Sequence, residues 1–378
     1  MKEPGKALRI VINTVFLTSE TYGGSWSYTF NLLRALRVTQ TEFDLVVLAN
    51  QATADIFRKI GVEVVLVNLP SGARFARVAW EQIFLSDLVA KYSPSVIHST
   101  GNVLPARLRC PSVVTLHDLQ YLFFPKNFSF ARRTYLRYAV PASLRRASKI
   151  ICVSDLTRKH ANEQLDVSNE KLVVIHEGGL WRNEPETINS NEAVLERLGI
   201  ERPFLLSAGS SMPHKNLPAL IRAFALVARH IPHKLVIAGE PFSFSSDIFV
   251  ALGCIGETRG RINVTGFIPR EELLSLYRCA DAFIFPSLFE GFGIPAVEAM
   301  ESGCPVVSSN ATSLPEVLGD AAEFFDPLSV ESIAEAIKRV CLSKDLQNDL
   351  RQRGHERAKE FSWEKMARRT MEVYYSLA

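Results

Sequence analysis

Thirteen short apolar runs, alternating with stretches of helical periodicity from one end of the chain to the other, leave few folds open. They fall at residues 8–16, 44–49, 63–67, 95–99, 112–116, 149–153 and 172–175, then at 204–208, 234–238, 261–264, 282–285, 305–308 and 323–325. Several are apolar throughout, which is how strands of a parallel sheet read when helices cover both faces. Between the seventh and eighth runs lies the polar stretch G-G-L-W-R-N-E-P-E-T-I-N-S-N-E, which predicts a linker. At 378 residues the chain suits two domains of ordinary size, so the pattern predicts two doubly wound α/β domains with a parallel sheet in each. Ligands of such sheets bind beyond the carboxyl ends of the strands. Two sheets whose strand ends face one another would share an interdomain cleft.

The segment D-A-F-I-F-P-S-L-F-E-G-F-G-I-P-A-V-E-A-M-E-S-G, residues 281–303, carries the densest chemistry. Its apolar start reads as a buried strand ending at Pro286. Gly291 and Gly293 allow a tight turn with amides aimed outward, and Pro295 suits the first position of a helix because its missing N–H costs nothing there. Strand, glycine turn and helix N-terminus together make a place for a phosphate. Two carboxylates frame the turn, and each has two readings. Glu298 can accept hydrogen bonds from both hydroxyls of a ribose, or simply complement the helix dipole. Glu290 can hold hydroxyls of whatever hangs from a diphosphate, or be a solvated loop residue.

Composition narrows the class. Apolar residues make up 47% and charged residues 22%, the profile of a globular domain rather than a disordered chain. A net charge of +3 gives no case for nucleic-acid binding. The six cysteines form no C-x-x-C pair and read as small buried residues in a reducing compartment. No run approaches the ~20 apolar residues of a bilayer crossing, and residues 8–17 read as a first strand rather than a signal peptide. A cytoplasmic protein is expected.

The motif E-G-F-G-I-P-A-V-E resembles the E-x7-E motif of retaining glycosyltransferases of family four. The surrounding P-S-L-F-E-G-F-G-I-P-A-V-E-A-M-E-S-G-C-P-V-V-S-S-N and S-L-P-E-V-L-G-D-A-A-E-F-F-D-P are similar to that family along their whole length. The resemblance covers nearly the whole chain and implies the GT-B architecture: two Rossmann-like domains with parallel sheets facing an interdomain cleft. The first spans residues 1–178 and faces the acceptor. The second spans 179–361 and binds a nucleotide sugar. A C-terminal amphipathic helix, 362–378, with Ser362 as its candidate N-cap and Met366, Met371, Val373 and Tyr374 as its buried face, would pack back on the first domain.

The same resemblance assigns the remaining site residues. Gly23 and Gly24 follow the first strand and open a helix, and an ordinary turn would use them equally well. In the family such a loop brings amides near the donor. His117, in V-T-L-H-D-L-Q-Y, matches a histidine that faces the donor sugar in mannosyltransferase-like members, where it would hydrogen-bond sugar hydroxyls and stabilise developing charge without acting as a nucleophile. Tyr28, Asp118 and Tyr121 are the expected acceptor contacts. In the second domain, P-F-L-L-S-A-G-S-S-M-P-H-K-N-L places Gly209, Ser210 and Lys215 after a strand, where an ammonium can reach a diphosphate. Many members have Arg where this chain has Ser210. The stretch is closer to a subgroup reading G-T-x-E-P-R-K-N, with His214 in place of the Arg, so one fixed charge is missing or titratable. Ile268 is the expected contact to the base, and Glu316 resembles a residue near the nucleotide. The amides of Gly291, Phe292, Gly293 and Ile294 would line the phosphate.

These parts imply hexose transfer from a nucleotide-diphosphate sugar to a hydroxyl of a glycan or polyprenyl-linked acceptor. The H-D-L and P-H-K-N-L contexts lean towards GDP-mannose. A dTDP- or UDP-linked rhamnose or glucose is the alternative, as is a binding protein without transfer activity. No D-x-D motif occurs, so neither metal nor cofactor is expected. Residues 130–149 carry Arg132, Arg133, Arg137, Arg145, Arg146 and Lys149 with interleaved aromatics and no acidic residue. The run is either a solvated helix face or a contact with an anionic membrane, such as the inner face of the cytoplasmic membrane.

Overall fold

The computed structural model describes residues 8–17, 23–39, 43–69, 74–180, 190–239 and 246–378. Most of the expected linker, residues 181–189, lies outside them. The chain divides into two units, one of Met1–Glu177 with Trp363–Ala378 and one of Gly178–Ser362.

The first unit is built on seven strands: β1 (Leu8–Asn13), β2 (Phe43–Asn50), β3 (Glu63–Val67), β4 (Val96–Ser99), β5 (Ser112–Leu116), β6 (Lys149–Cys152) and β7 (Leu172–Val174). All pair in parallel in the order β3-β2-β1-β4-β5-β6-β7. Successive residues of a strand face opposite sides of its sheet. Ile97 thus packs with Val11, Val46 and Leu48 on one face, and His98 points to the other. The helices Gly24–Val38 and Trp363–Tyr375 pack against each other. The second contributes Trp363, Met366, Met371, Val373 and Tyr374 to the interior.

The second unit holds β8 (Phe204–Ala208), β9 (Lys234–Ala238), β10 (Ile262–Gly266), β11 (Ala282–Phe285), β12 (Val306–Ser309) and β13 (Ala322–Phe325). Its order is β10-β9-β8-β11-β12-β13, again parallel throughout. In each sheet the first strand of the unit lies beside the fourth, and the order reverses there. Loops leaving those two strands diverge to opposite faces and open a crevice. No helix among the described residues is long and apolar enough to cross a membrane.

Candidate active site

In the second unit, the crevice between β8 and β11 receives Lys215 from one side and Glu290 from the other. Lys215 ends the short turn Pro213–Lys215 after β8. Asn216 follows in the left-handed region, with its side chain donating to the Pro327 carbonyl at 2.8 Å, and starts the helix Leu217–Val227. That anchor directs the lysine inward. Its Nζ lies 2.5 Å from Glu290 Oε1 and 5.2 Å from the centre of the Phe285 ring. The Leu288 amide donates to the His214 carbonyl at 2.7 Å, tying the two loops together.

Glu290 is held from behind. Its amide donates to Thr312 Oγ1 at 3.0 Å, and Ser313 Oγ donates to the carbonyls of Glu290 and Phe292 at 3.1 and 3.2 Å. Gly293 has φ +109°, and a Cβ there would come within 2.8 Å of Leu314 Cδ2, so the position needs glycine on both counts. It caps the helix Ile294–Glu301, whose first internal bonds run from Ala296 and Val297 to the Gly293 carbonyl. Pro295 is therefore the second helical residue rather than the first. The Ile294 amide comes before the first helical hydrogen bond, at the positive end of the helix, where an anion is favoured. Phe292 and Ile294 are buried, Phe292 edge-on to Phe361, so backbone is what they offer.

Gly209 stands directly after β8 with φ +144°, and Gly239 directly after β9 with φ +151°. A Cβ on Gly239 would lie 1.8 Å from the Gly209 carbonyl oxygen, a collision no shift of a side chain relieves. A Cβ on Gly209 would in turn stand 3.8 Å from Lys215 Cε, in ordinary contact with that side chain. Gly239 was not among the residues expected from the sequence, although a glycine ending a buried strand was its signal. Ser210 is half-buried beside it, and Ile268 is buried in the turn after β10, next to an exposed Phe267.

Glu298 differs from expectation. Its side chain is 5% exposed and its Oε1 lies 2.6 Å from Nη1 of Arg270, which opens the helix Arg270–Cys279. A ribose reaching this carboxylate has to share it with Arg270, a partner the sequence reading missed. The burial and the adjacent Glu298 charge push the Tyr277 hydroxyl well above its ordinary pKa. His214, the residue replacing a fixed charge, is buried. Burial first, then the neighbouring Lys215, hold its pKa down to about 4, so it is neutral at pH 7. Glu316 spends its carbonyl on Arg357, 2.6 Å away.

In the first unit His117 follows β5 and is fixed on every side. Its amide donates to Asn102 Oδ1 at 3.0 Å, and its carbonyl accepts from Thr157 Oγ1 at 3.3 Å. Nε2 lies 2.7 Å from the Thr100 carbonyl, which can only accept, so Nε2 carries a proton. Nδ1 lies 3.6 Å from Glu177 Oε1. Burial pulls the imidazole pKa down, but Glu177, the Thr100 carbonyl and Asp118 together outweigh it and the net shift is upward. The ring thus spends Nε2 on protein and not on a sugar hydroxyl, a correction to the role expected of it. Glu177 went unnoticed in the sequence because sixty residues separate it from His117.

Two expected acceptor contacts are core residues instead. Tyr28 is fully buried, its hydroxyl 2.9 Å from Thr115 Oγ1 and its ring edge-on to His117 with centroids 4.9 Å apart. Tyr121 is buried among Val114, Leu144 and Ile150, and burial raises its pKa to about 12. Neither presents a hydroxyl at the surface. Asp118 is half-buried and accepts the Gln120 amide at 2.8 Å. Gly23 and Gly24 are exposed at the start of the helix Gly24–Val38, with open space where a Cβ would stand, so packing does not require glycine at either position. On the helix Phe130–Arg146, Arg132, Arg137, Arg145 and Arg146 are exposed beside Phe130 and Tyr138, which are 76% and 75% exposed.

Residues 192–357 match the model of the glycosyl transferases group 1, and residues 22–178 match that of glycosyltransferase family 4. The O-antigen chain mannosyltransferase B of Escherichia coli is 31% identical over 75% of this chain and 74% of its own. The O-antigen chain mannosyltransferase RfbU of Salmonella typhimurium is 26% identical over 84% and 87%. A crystal structure of Anabaena HepE in complex with UDP and glucose superposes with a TM-score of 0.78 at 19% identity, covering 98% of this chain and 100% of that one. The two parallel-sheet units and these matches together identify the chain as a member of the family 4 glycosyltransferases, a hexosyltransferase of GT-B fold.

Proposed function

We infer that the chain transfers mannose from GDP-mannose to a hydroxyl of a glycan or polyprenyl-linked acceptor, with retention of anomeric configuration and without a metal. The observation that carries this reading is the Lys215–Glu290 pair set across the crevice of the second unit, beside the glycine turn and the helix start at Ile294. As the glycosidic bond breaks, negative charge grows on the leaving diphosphate, and the ammonium and the positive end of the helix would stabilise it where water would otherwise have to reorganise. The mannosyltransferase names of two relatives support the choice of sugar. No carboxylate is assigned as a nucleophile. The leaving phosphate would take the acceptor's proton on the same face, which accounts for retention. His117 with its partner in the first unit would stabilise charge at the sugar. The exposed basic and aromatic helix Phe130–Arg146 would rest on an anionic cytoplasmic membrane surface, each basic residue contributing about 1 kcal/mol there.

The test is a thermal-shift panel of GDP-mannose, UDP-glucose and dTDP-rhamnose, followed by mass spectrometry of products with and without EDTA. Stabilisation by GDP-mannose and EDTA-insensitive mannose transfer are expected. Preference for a UDP- or dTDP-sugar would replace the donor, and donor binding with no transfer to any acceptor would leave a binding protein.

A further inference from the structure

The His117 ring is held by two acceptors at once. Thr100 offers a carbonyl 2.7 Å from Nε2, and Glu177 offers Oε1 3.6 Å from Nδ1. A carbonyl cannot donate, so the first contact fixes a proton on Nε2. A bare Nδ1 lone pair facing a carboxylate would repel it, so the second contact holds one further proton between ring and acid. The pair as a whole is then neutral, which is the state that burial of both side chains, 12% and 5% exposed, favours.

We propose that Glu177 is a positioning residue for sugar transfer, holding the His117 imidazole in one orientation with protons on both nitrogens. The proposal rests on the reading that His117 faces the reacting sugar. The other titratable groups around the ring do not compete for the role. Tyr28 meets it edge-on from the helix Gly24–Val38, and its hydroxyl is engaged by Thr115. His98, on the neighbouring β4, is kept neutral by burial and then by the charge of His117, with a pKa near 3. Asp118 acts on the ring as a charge, and its Oδ1 accepts the Gln120 amide. Burial raises the Glu177 pKa, and His117 first, then the adjoining His176, pull against that rise and favour the carboxylate. Glu177 is also the last residue of the first unit, so the contact with His117 pins the point at which the chain leaves it.

The experiment is a ring-nitrogen NMR titration of histidine-labelled protein, with His117→Ala identifying the signal, run beside steady-state kinetics of Glu177→Gln and Glu177→Asp. In the native chain both ring nitrogens of His117 should stay protonated above the ordinary histidine range. Glu177→Gln should lower that titration, because the carboxylate is the main group raising it, and the remaining proton of the neutral ring should stay on Nε2. The substitution should lower kcat by up to about 10²-fold with little change in donor KM, and move the alkaline limb of the pH–rate profile down with the titration. Glu177→Asp should restore part of both. An unchanged His117 titration in Glu177→Gln overturns the coupling itself. A shifted titration with native kcat in His117→Ala overturns instead the reading of His117 as a group near the sugar, and the positioning role with it.

Discussion

Lys215 Nζ lies 2.5 Å from Glu290 Oε1, with the two side chains only 16% and 13% exposed. Each charge is thereby neutralised before any ligand arrives, and the ammonium is held where a diphosphate would displace part of its attachment. Charge-assisted bonds of this length are the strong ones. Lys215→Ala should reduce turnover by about 10²–10³, the usual loss for one such donor. It should also lower the melting temperature, since Glu290 is left enclosed without a counter-charge. A fall in turnover smaller than about threefold would remove Lys215 from the phosphate site.

Glu298 and Arg270 form the second enclosed pair, and their exposures are unequal at 5% and 37%. Removing Arg270 takes a counter-charge from a nearly enclosed carboxylate, whereas removing the carboxylate leaves an arginine that already reaches solvent. Denaturant unfolding of Arg270→Ala should therefore show the larger loss. About 1–3 kcal/mol is expected, below the range for fully buried pairs because the arginine is partly solvated. Glu298→Gln should cost less stability but weaken nucleotide binding in calorimetry, while Glu290→Ala should damage sugar transfer more than nucleotide binding. The reverse pattern would exchange the roles of the two carboxylates.

His214 gives a prediction about pH. With its pKa held down to about 4, it carries no charge from pH 5.5 to 8 and adds no slope to donor affinity there. Replacing it by Asn should leave the pH dependence of the donor Kd unchanged across that window. Replacing it by Arg should add a permanent charge beside Lys215 and make affinity more sensitive to salt. A native donor Kd that weakens on passing pH 6.5, and stops doing so in His214→Asn, would show the imidazole titrating in the ordinary range.

Sequence and structure agree best where a residue's environment is set by its neighbours in the chain. Every apolar run reappears as a strand with its ends within three residues of the expected ones, because the central strands are buried on both faces and the edge strands still carry apolar residues. The glycine turn, Lys215 and Glu290 were legible for the same reason, since strand, turn and helix start are local. Partnerships across the sheet were not. Arg270 reaches Glu298, and Glu177 reaches His117, only after the strand order has been fixed. Tyr28 and Tyr121, expected acceptor contacts on the strength of the family resemblance, are both buried by packing against the sheet. Gly239 shows its purpose only beside Gly209, from which it is separated by a strand and a helix.

The longest-range of these contacts joins the C-terminal helix to the first sheet. Tyr374 Oη lies 2.6 Å from His98 Nδ1, and His98 Nε2 lies 2.8 Å from Thr115 Oγ1. Both nitrogens are satisfied by hydroxyls, which donate or accept as a neutral ring requires, and neither hydroxyl can neutralise an imidazolium. Burial accordingly holds His98 near a pKa of 3. The folded-state pKa is depressed, so the stability is fully present above the unfolded value of about 6.5 and is lost as pH falls from there toward 3. Each pH unit in that interval costs about 1.4 kcal/mol for one such group. His98→Asn should be less stable at pH 7 yet lose less stability than the native chain between pH 6 and 4, by about that slope. Tyr374→Phe should cost about 1–3 kcal/mol at pH 7, because it leaves a buried ring nitrogen without a partner. Urea unfolding followed by tryptophan fluorescence reads both effects, since Trp363 is buried on the same helix as Tyr374. Equal acid slopes in the native chain and His98→Asn would mean that His98 is solvated and the helix held by its apolar face alone.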